Sequence, residues 1–254
     1  MSTQIIERMA VEIDGSGDAV ICIHGLGGTS NVFTPQMPVL GSYRVVRPDL
    51  LCSGRSPLGE KPSLAGYAEC IARMADVLGI RSAHIIGHSM GTIIGQHLAV
   101  AHGPQVKSLT LLGAMIELSD ASRTGLRARA AKARAEGMAD IAESVVQNGL
   151  AAETKRSAPV AVALVREMMM RQPPEGYART CEAMADGYAA DLQQIRCPVL
   201  ILTGEDDQTA PVSVARDLAS RLANARVVTL PRCSHWPTVE RPDLVNAEIQ
   251  RFVR

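Results

Sequence analysis

Short apolar runs alternate with helix-length amphipathic segments along most of this chain, and this alternation limits the possible folds more than any other feature. Apolar runs of strand length occupy residues 19–25, 43–49, 83–89, 106–114, 197–204 and 225–230. Apolar residues recur at helical spacing over residues 63–80, 90–103, 212–223 and 241–253. Such alternation is typical of α/β proteins and predicts a mostly parallel central sheet with helices on both faces.

The alternation is interrupted once, between residues 116 and 192. This part of the chain is rich in Ala, Arg, Met and Glu, as in "SRTGLRARAAKARAEGMADIAESVVQNGL", and indicates several helices without a strand. We therefore predict a core domain formed by residues 1–115 and 193–254, with a helical cap subdomain inserted over residues 116–192. A chain of 254 residues accommodates one large domain of this kind.

The charge balance argues against several classes of partner. Lys and Arg together number 26, as do Asp and Glu, whereas nucleic acids and anionic membranes favour a concentrated basic face. The N-terminus lacks the apolar region of a signal peptide, and no run of about 18 apolar residues is present, so we expect a cytoplasmic protein that does not enter a membrane. The 6 cysteines are scattered without metal-binding spacing, and we expect reduced thiols, no metal site and no cofactor.

The segment "IIGHSMG", residues 85–91, contains the pattern G-x-S-x-G at the junction of a predicted strand and a predicted helix. A nucleophilic serine at such a junction requires a sharp turn with small residues two positions before and after it, and Gly87 and Gly91 meet this requirement. The helix N-terminus behind the serine would favour a developing negative charge. We therefore predict that Ser89 is a nucleophile.

A second glycine-rich segment, "IHGLGG" at residues 23–28, follows an earlier predicted strand. Glycine allows the backbone to approach a ligand closely, so this loop is a candidate for an oxyanion-binding site. We predict that the backbone N–H groups of Leu26 and Met90 are the two donors.

A base and an acid are expected after the serine in the chain. The strand end "LPRCSHWP" carries His235, and the strand end "LTGEDDQTAP" carries the adjacent carboxylates Asp206 and Asp207. The order Ser, Asp, His, each at the carboxyl end of a predicted strand, matches a nucleophile–acid–base triad. The residues alone leave Asp206 and Asp207 both open, with Glu117 as an outside candidate. The other histidines are predicted to be structural: His24, His84, His88, His97 and His102.

Together, "HGLGG", "RPDLLCSGRSP", "GHSMG", "GEDDQTAP" and "CSHW" resemble the α/β-hydrolase superfamily, in order and across nearly the whole chain. The resemblance implies the α/β-hydrolase fold and the oxyanion donors given above. In that superfamily the acid usually follows a glycine by three positions and precedes a proline by four. Gly204 and Pro211 have this spacing around Asp207, so the resemblance selects Asp207 as the acid.

The predicted cap, above all "PPEGYARTCEAM", is similar to that of 3-oxoadipate enol-lactonases. These enzymes open a small unsaturated lactone in bacterial aromatic catabolism without a cofactor. Two departures are present, because the segment "GHSMGT" lacks a second glycine after the motif and Cys52 stands where glycine is more usual. The resemblance implies a serine hydrolase of small carboxylic esters or lactones. The alternatives are a C–C bond hydrolase of meta-cleavage products, an amidase or γ-lactamase, and a non-catalytic ligand receptor.

The substrate pocket is expected to form between the cap and the triad. Its predicted lining comprises Gly25, Met115, Met169 and Trp236, and Arg166 or Arg171 is expected to meet a substrate carboxylate. The expected partner is a small-molecule ester or lactone, and the sequence is compatible with a homo-oligomer.

Overall fold

The computed structural model describes residues 2–253, and for Ser2 the backbone alone. Eight strands form one sheet in the order β1-β2-β4-β3-β5-β6-β7-β8. Their bounds are β1 Ser2–Ile6, β2 Met9–Asp14, β3 Ala19–Ile23, β4 Arg44–Asp49, β5 Ala83–His88, β6 Val106–Leu112, β7 Val199–Gly204 and β8 Ala225–Leu230. Among the six strands β3 to β8, neighbours in the sheet pair in parallel. Strand β2 pairs antiparallel with both β1 and β4. The predicted mostly parallel sheet is confirmed.

Helices cover both faces of this sheet and also form the insertion. Their bounds are α1 Leu64–Val77, α2 Met90–Ala101, α3 Asp120–Glu136, α4 Ala139–Gly149, α5 Ala152–Ser157, α6 Pro159–Met170, α7 Pro174–Ala185, α8 Val212–Ser220, α9 Pro237–Glu240 and α10 Pro242–Phe252. Short 3-10 segments cover Ser30–Val39, Gly103–Gln105 and Leu192–Gln194. Helices α3 to α7 lie between β6 and β7, in the part of the chain that lacks a predicted strand. Among residues 2–253, no helix combines the length and apolar character that crossing a membrane requires.

The two faces of the sheet form two separate parts of the core. On β3, Ala19, Ile21 and Ile23 pack into one apolar cluster, whereas Val20 and Cys22 pack into the other. Side chains along a strand alternate between its faces, so a strand with helices on both sides is buried at every position. This arrangement explains why the central strands are continuous apolar runs in the sequence.

The N-terminal strands β1 and β2 were not predicted. They join through Glu7 and Arg8, whose φ angles are 49° and 64°. Two-residue turns with positive φ usually contain Asn or Gly, and neither residue is present here. The hairpin therefore lacks the local turn signal and is formed by pairing with β4 at the edge of the sheet.

Candidate active site

Ser89 occupies a strained turn between β5 and α2, with φ 51° and ψ −118°. Its N–H donates to the carbonyl oxygen of Leu112 at 2.9 Å, which ties the turn to the end of β6. A Cβ atom at Gly91 would overlap the carbonyl oxygen of Ile23, and one at Gly87 would overlap the backbone of Gly91. The two glycines of the motif are therefore required by backbone contact on both sides of the serine.

The three residues of the predicted triad lie in hydrogen-bonding contact. Ser89 Oγ is 2.8 Å from His235 Nε2, and His235 Nδ1 is 2.8 Å from Asp207 Oδ2. The other carboxylate oxygen of Asp207 accepts the N–H groups of Thr209 and Ala210, both at 2.8 Å. Burial alone would raise the pKa of Asp207, but the charge and hydrogen bond of His235 and these two N–H groups hold it below its usual value. The carboxylate is thus ionised and oriented toward the imidazole.

The other two acid candidates do not contact His235. Asp206 is exposed to solvent. Glu117 lies 3.5 Å from Arg123, and its side chain is 62% exposed. Of the three candidates, Asp207, which the family resemblance selects, is the one in contact with His235. The adjacent Asp206 faces solvent instead.

The loop after β3 lies against the serine. A Cβ atom at Gly25 would come within 2.8 Å of Ser89 Cβ, so only glycine permits this approach. Across residues 2–253, the N–H groups of Leu26 and Met90 donate to no backbone or side-chain acceptor. The N–H of Met90 is at the first position of α2, where no acceptor exists within the helix. Both predicted oxyanion donors are therefore available beside Ser89.

His24 supports this loop. Its Nδ1–H donates to the carbonyl oxygen of Gly25 at 2.8 Å, and its Nε2 accepts the N–H of Leu50 at 2.9 Å. Burial lowers the pKa of His24, so the ring stays neutral and keeps this tautomer. These contacts make His24 a structural residue of the loop.

His88, also predicted to be structural, contacts the triad. Its Nε2–H donates to the carbonyl oxygen of His235 at 2.7 Å, and its ring packs at a tilt against the Trp236 ring, with 4.9 Å between the ring centroids. Its Nδ1 is buried and has no hydrogen-bond partner among residues 2–253. Burial, assisted by the neighbouring His235, lowers the pKa of His88 to about 3. The neutral ring holds the loop that carries His235.

Glu240 was missed by the sequence analysis. One of its oxygens accepts the N–H groups of Ser234 and Trp236, each at 3.0 Å, on the two sides of His235. The other oxygen accepts the N–H of Ala151 and the hydroxyl of Thr154, each at 2.7 Å, in the helical insertion. This side chain is buried and joins the insertion to the histidine loop. A single glutamate in a short apolar helix is the only local signal for it.

A cavity of about 540 Å³ opens above Ser89 and His235. Leu26, Met115 and Trp236 line it, and Met115 Sδ lies 3.9 Å from Ser89 Oγ. This volume falls in the usual range for a small-molecule site. Within residues 2–253 no group of three or more His, Cys, Asp and Glu side chains is arranged to hold a metal ion.

Several residues predicted to line the pocket lie elsewhere. Arg166 is ion-paired with Glu143, and Arg171 with Glu167, on the surface of the insertion and outside the cavity lining. Neither arginine therefore lines the cavity, because Arg166 reaches across to Glu143 on α4 and Arg171 pairs with Glu167 one turn before it.

The remaining two residues border the site without lining the cavity. The side chain of Met169 is buried beneath the glycine loop, where it closely contacts Gly27. Gly25 contributes backbone beside Ser89 and carries no side chain into the cavity.

Residues 18–242 match the alpha/beta hydrolase fold family, and the chain belongs to this family. A relative from Caulobacter sp. (strain K31), provisionally named carbamate hydrolase RutD, is 29% identical over 240 residues, covering 92% of this chain and 90% of the relative. The 3-oxoadipate enol-lactonase 1 of Acinetobacter baylyi is 25% identical over 252 residues, and the match covers 98% of this chain and 94% of the enol-lactonase.

Among solved structures, a thermophilic esterase from Thermogutta terrifontis, determined with bound malate, superposes with a TM-score of 0.94. It is 25% identical, and the match covers 100% of this chain and 98% of the esterase. The predicted α/β-hydrolase fold and the expected similarity to enol-lactonases are thereby confirmed. The three similar proteins bear names of three different hydrolytic activities.

Proposed function

We propose that this protein is a cofactor-independent serine hydrolase that cleaves a small carboxylic ester or lactone through an acyl-enzyme. The observation that carries the proposal is the continuous path of hydrogen bonds from Ser89 Oγ through His235 to the ionised Asp207. Ser89, at the start of this path, lines a cavity large enough for a small molecule.

In the first step, Ser89 Oγ attacks the substrate carbonyl carbon while its proton passes to His235 Nε2. The N–H groups of Leu26 and Met90 hold the oxyanion, and loss of one such donor typically lowers the rate by about 10²–10³-fold. Asp207 stabilises the imidazolium that forms. The bond to the leaving oxygen then breaks, and His235 returns the proton to that oxygen.

In the second step, a water molecule gives a proton to His235 Nε2 and attacks the acyl carbon. The bond between that carbon and Ser89 Oγ breaks, and the proton returns to the serine. For a lactone, the leaving oxygen stays attached to the acyl chain, so one hydroxy or keto acid is released. Both steps use only protein groups and water.

The similarity to an esterase and to an enol-lactonase supports the ester or lactone assignment. The similarity to a relative named as a carbamate hydrolase favours cleavage of a carbamate or amide as the second candidate. The same catalytic groups also suit C–C bond hydrolysis, which is distinguished by substrate. A panel of lactones, aryl esters, carbamates and a meta-cleavage dienoate separates these activities, and turnover of the dienoate without lactones or esters would refute the assignment.

The proposal is tested with a fluorophosphonate probe and p-nitrophenyl acetate. Wild-type protein should be labelled at Ser89 and hydrolyse the ester, whereas Ser89→Ala should do neither. Equal behaviour of the two proteins would instead support a ligand receptor. Asp207→Asn should lower kcat by roughly 10⁴-fold through loss of the histidine orientation. Asp206→Asn is the matched control, and a larger loss there would contradict the assignment of the acid.

A further inference from the structure

One face of α3 forms a wall of the cavity. Ser122, Gly125, Leu126 and Arg129 all line it, and their spacing of three and four residues places them on the same side of the helix. In the described part of the chain, Arg129 is the only Lys or Arg among the cavity-lining residues. The cavity therefore contains one permanent positive charge, at a solvent-exposed position of the helix.

The guanidinium of Arg129 lacks an acidic partner. Across residues 2–253, no Asp or Glu oxygen lies within ion-pairing distance of it. Its neighbours on the same helix differ, since Arg127 pairs with Asp186 and Arg134 pairs with Glu175. The charge that faces the cavity is thus left for a ligand, whereas the charges that face the surface are neutralised by the protein.

Tyr177 lies beside this arginine. Its side chain lines the cavity and is only 2% exposed. Within residues 2–253 its hydroxyl makes no hydrogen bond of normal length, and the Arg129 guanidinium and the Cys181 thiol are its polar neighbours. Burial raises the pKa of Tyr177, the adjacent Cys181 adds to the rise, and the positive charge of Arg129 opposes it. A buried hydroxyl that makes no good hydrogen bond costs free energy, so a ligand that accepts a hydrogen bond from its O–H group is favoured.

Among the described residues, Glu117 is the one acidic side chain that lines the cavity, and it is already paired. Glu117 lies 3.5 Å from Arg123, which also donates to the carbonyl oxygens of Ala185 and Gly187. The negative charge of Glu117 therefore offsets the positive charge of Arg129 only in part. The net charge at this wall of the cavity favours binding of an anion.

We propose that Arg129 and Tyr177 form a subsite for a carboxylate group of the substrate. The guanidinium supplies a planar pair of N–H donors that match a carboxylate, and the phenol supplies one O–H donor. The substrate class is accordingly an ester or lactone with a free carboxylate away from the scissile bond. This inference rests on the proposed hydrolase function and assigns its substrate class.

The test uses mono-4-nitrophenyl esters of glutarate and adipate, each paired with its neutral methyl ester. The measured quantity is the ratio of kcat/KM for the anionic ester to kcat/KM for the neutral ester. Wild type should favour the anionic member. In Arg129→Gln the ratio should fall about tenfold, the lower end for a charge-assisted hydrogen bond at an exposed position. Arg129→Lys should retain part of the preference, and Tyr177→Phe should lower it about two- to tenfold.

Arg127→Gln is the matched control, because Arg127 lies on the same helix outside the cavity lining, and its ratio should equal that of wild type. High ionic strength should lower the ratio in wild type and leave it unchanged in Arg129→Gln, because salt screens exposed charges. If Ser89→Ala hydrolyses all the esters like wild type, the hydrolase function itself fails. If Ser89→Ala is inactive but Arg129→Gln keeps the wild-type ratio, or wild type prefers neutral esters, only the carboxylate subsite is refuted.

Discussion

Glu240 offers a direct test of how the helical insertion and the histidine loop are held together. Its carboxylate accepts four hydrogen bonds, two from the backbone on either side of His235 and two from residues 151 and 154 of the insertion. In Glu240→Gln, one side-chain oxygen remains and can keep one pair of donors. The other pair then faces an NH₂ group, which accepts nothing.

The expected loss follows from these contacts. Hydrogen bonds to a charged group contribute about 1.5–3 kcal/mol each, so losing two of the four costs about 3 kcal/mol at the lower end. For a domain of this size, about 1 kcal/mol corresponds to roughly 2–4 °C in Tm, and Glu240→Gln should therefore melt about 6–12 °C lower. Glu240→Ala leaves all four donors without a partner and should melt lower still.

Differential scanning calorimetry and urea unfolding measure this loss. Glu167→Gln is the control, because its carboxylate sits on an exposed helix surface with a side chain 62% exposed, and it should change stability by less than about 0.5 kcal/mol. Activity should fall through kcat more than through KM, because His235 moves relative to Ser89. A Glu240→Gln variant with the wild-type Tm and kcat would refute the reasoning.

Two further predictions concern the turn at Ser89 and the neighbouring His88. Gly91→Ala should destabilise the protein by about 1–3 kcal/mol in urea unfolding, because the added Cβ would overlap the carbonyl oxygen of Ile23. Gly103→Ala is the control, since the space around Gly103 is open, and it should not lower the stability. Equal stability of the two variants would contradict this account. Burial lowers the pKa of His88 in the folded protein to about 3 from its ordinary value of 6.5. The contribution of the neutral ring to stability is therefore complete above pH 6.5 and is lost as pH falls toward 3, by about 1.4 kcal/mol per pH unit. Between pH 7.5 and 5.0, wild type should lose about 2 kcal/mol more than His88→Gln, and identical losses would show that the buried ring does not stay neutral.

Much of the fold follows from local sequence patterns. Central strands such as β3 and β7 are buried at every position, so each is a continuous apolar run, and the helices between the strands carry apolar residues at helical spacing. Helix α1 begins after Ser63, whose hydroxyl accepts the N–H of Gly66, as a capping residue should. The edge hairpin at residues 2–14 was missed, because its turn lacks the residues that usually mark one.

The position of Ser89 was also predictable, because its requirements are short-range. A sharp turn between a strand and a helix needs glycine at two nearby positions, and both glycines are in the motif. His235 and the acidic pair follow at the ends of later strands, where a parallel sheet brings loops together. Physical reasoning from the residues left Asp206 and Asp207 open, and the family resemblance selected the residue that contacts His235.

Thus the sequence alone determined the alternation of strands and helices, the inserted helices, and the residues that form the turn at Ser89, since these depend on contacts between near neighbours. The tertiary structure alone decided which side chains face the cavity, because that depends on how each inserted helix is rotated against the core. It turned Arg166 and Arg171 toward acidic neighbours on the surface and placed Arg129 on the cavity wall. It also brought Glu240 into contact with Thr154 and Ala151, which lie 86 and 89 positions earlier in the chain. No local sequence pattern carries information over such a separation.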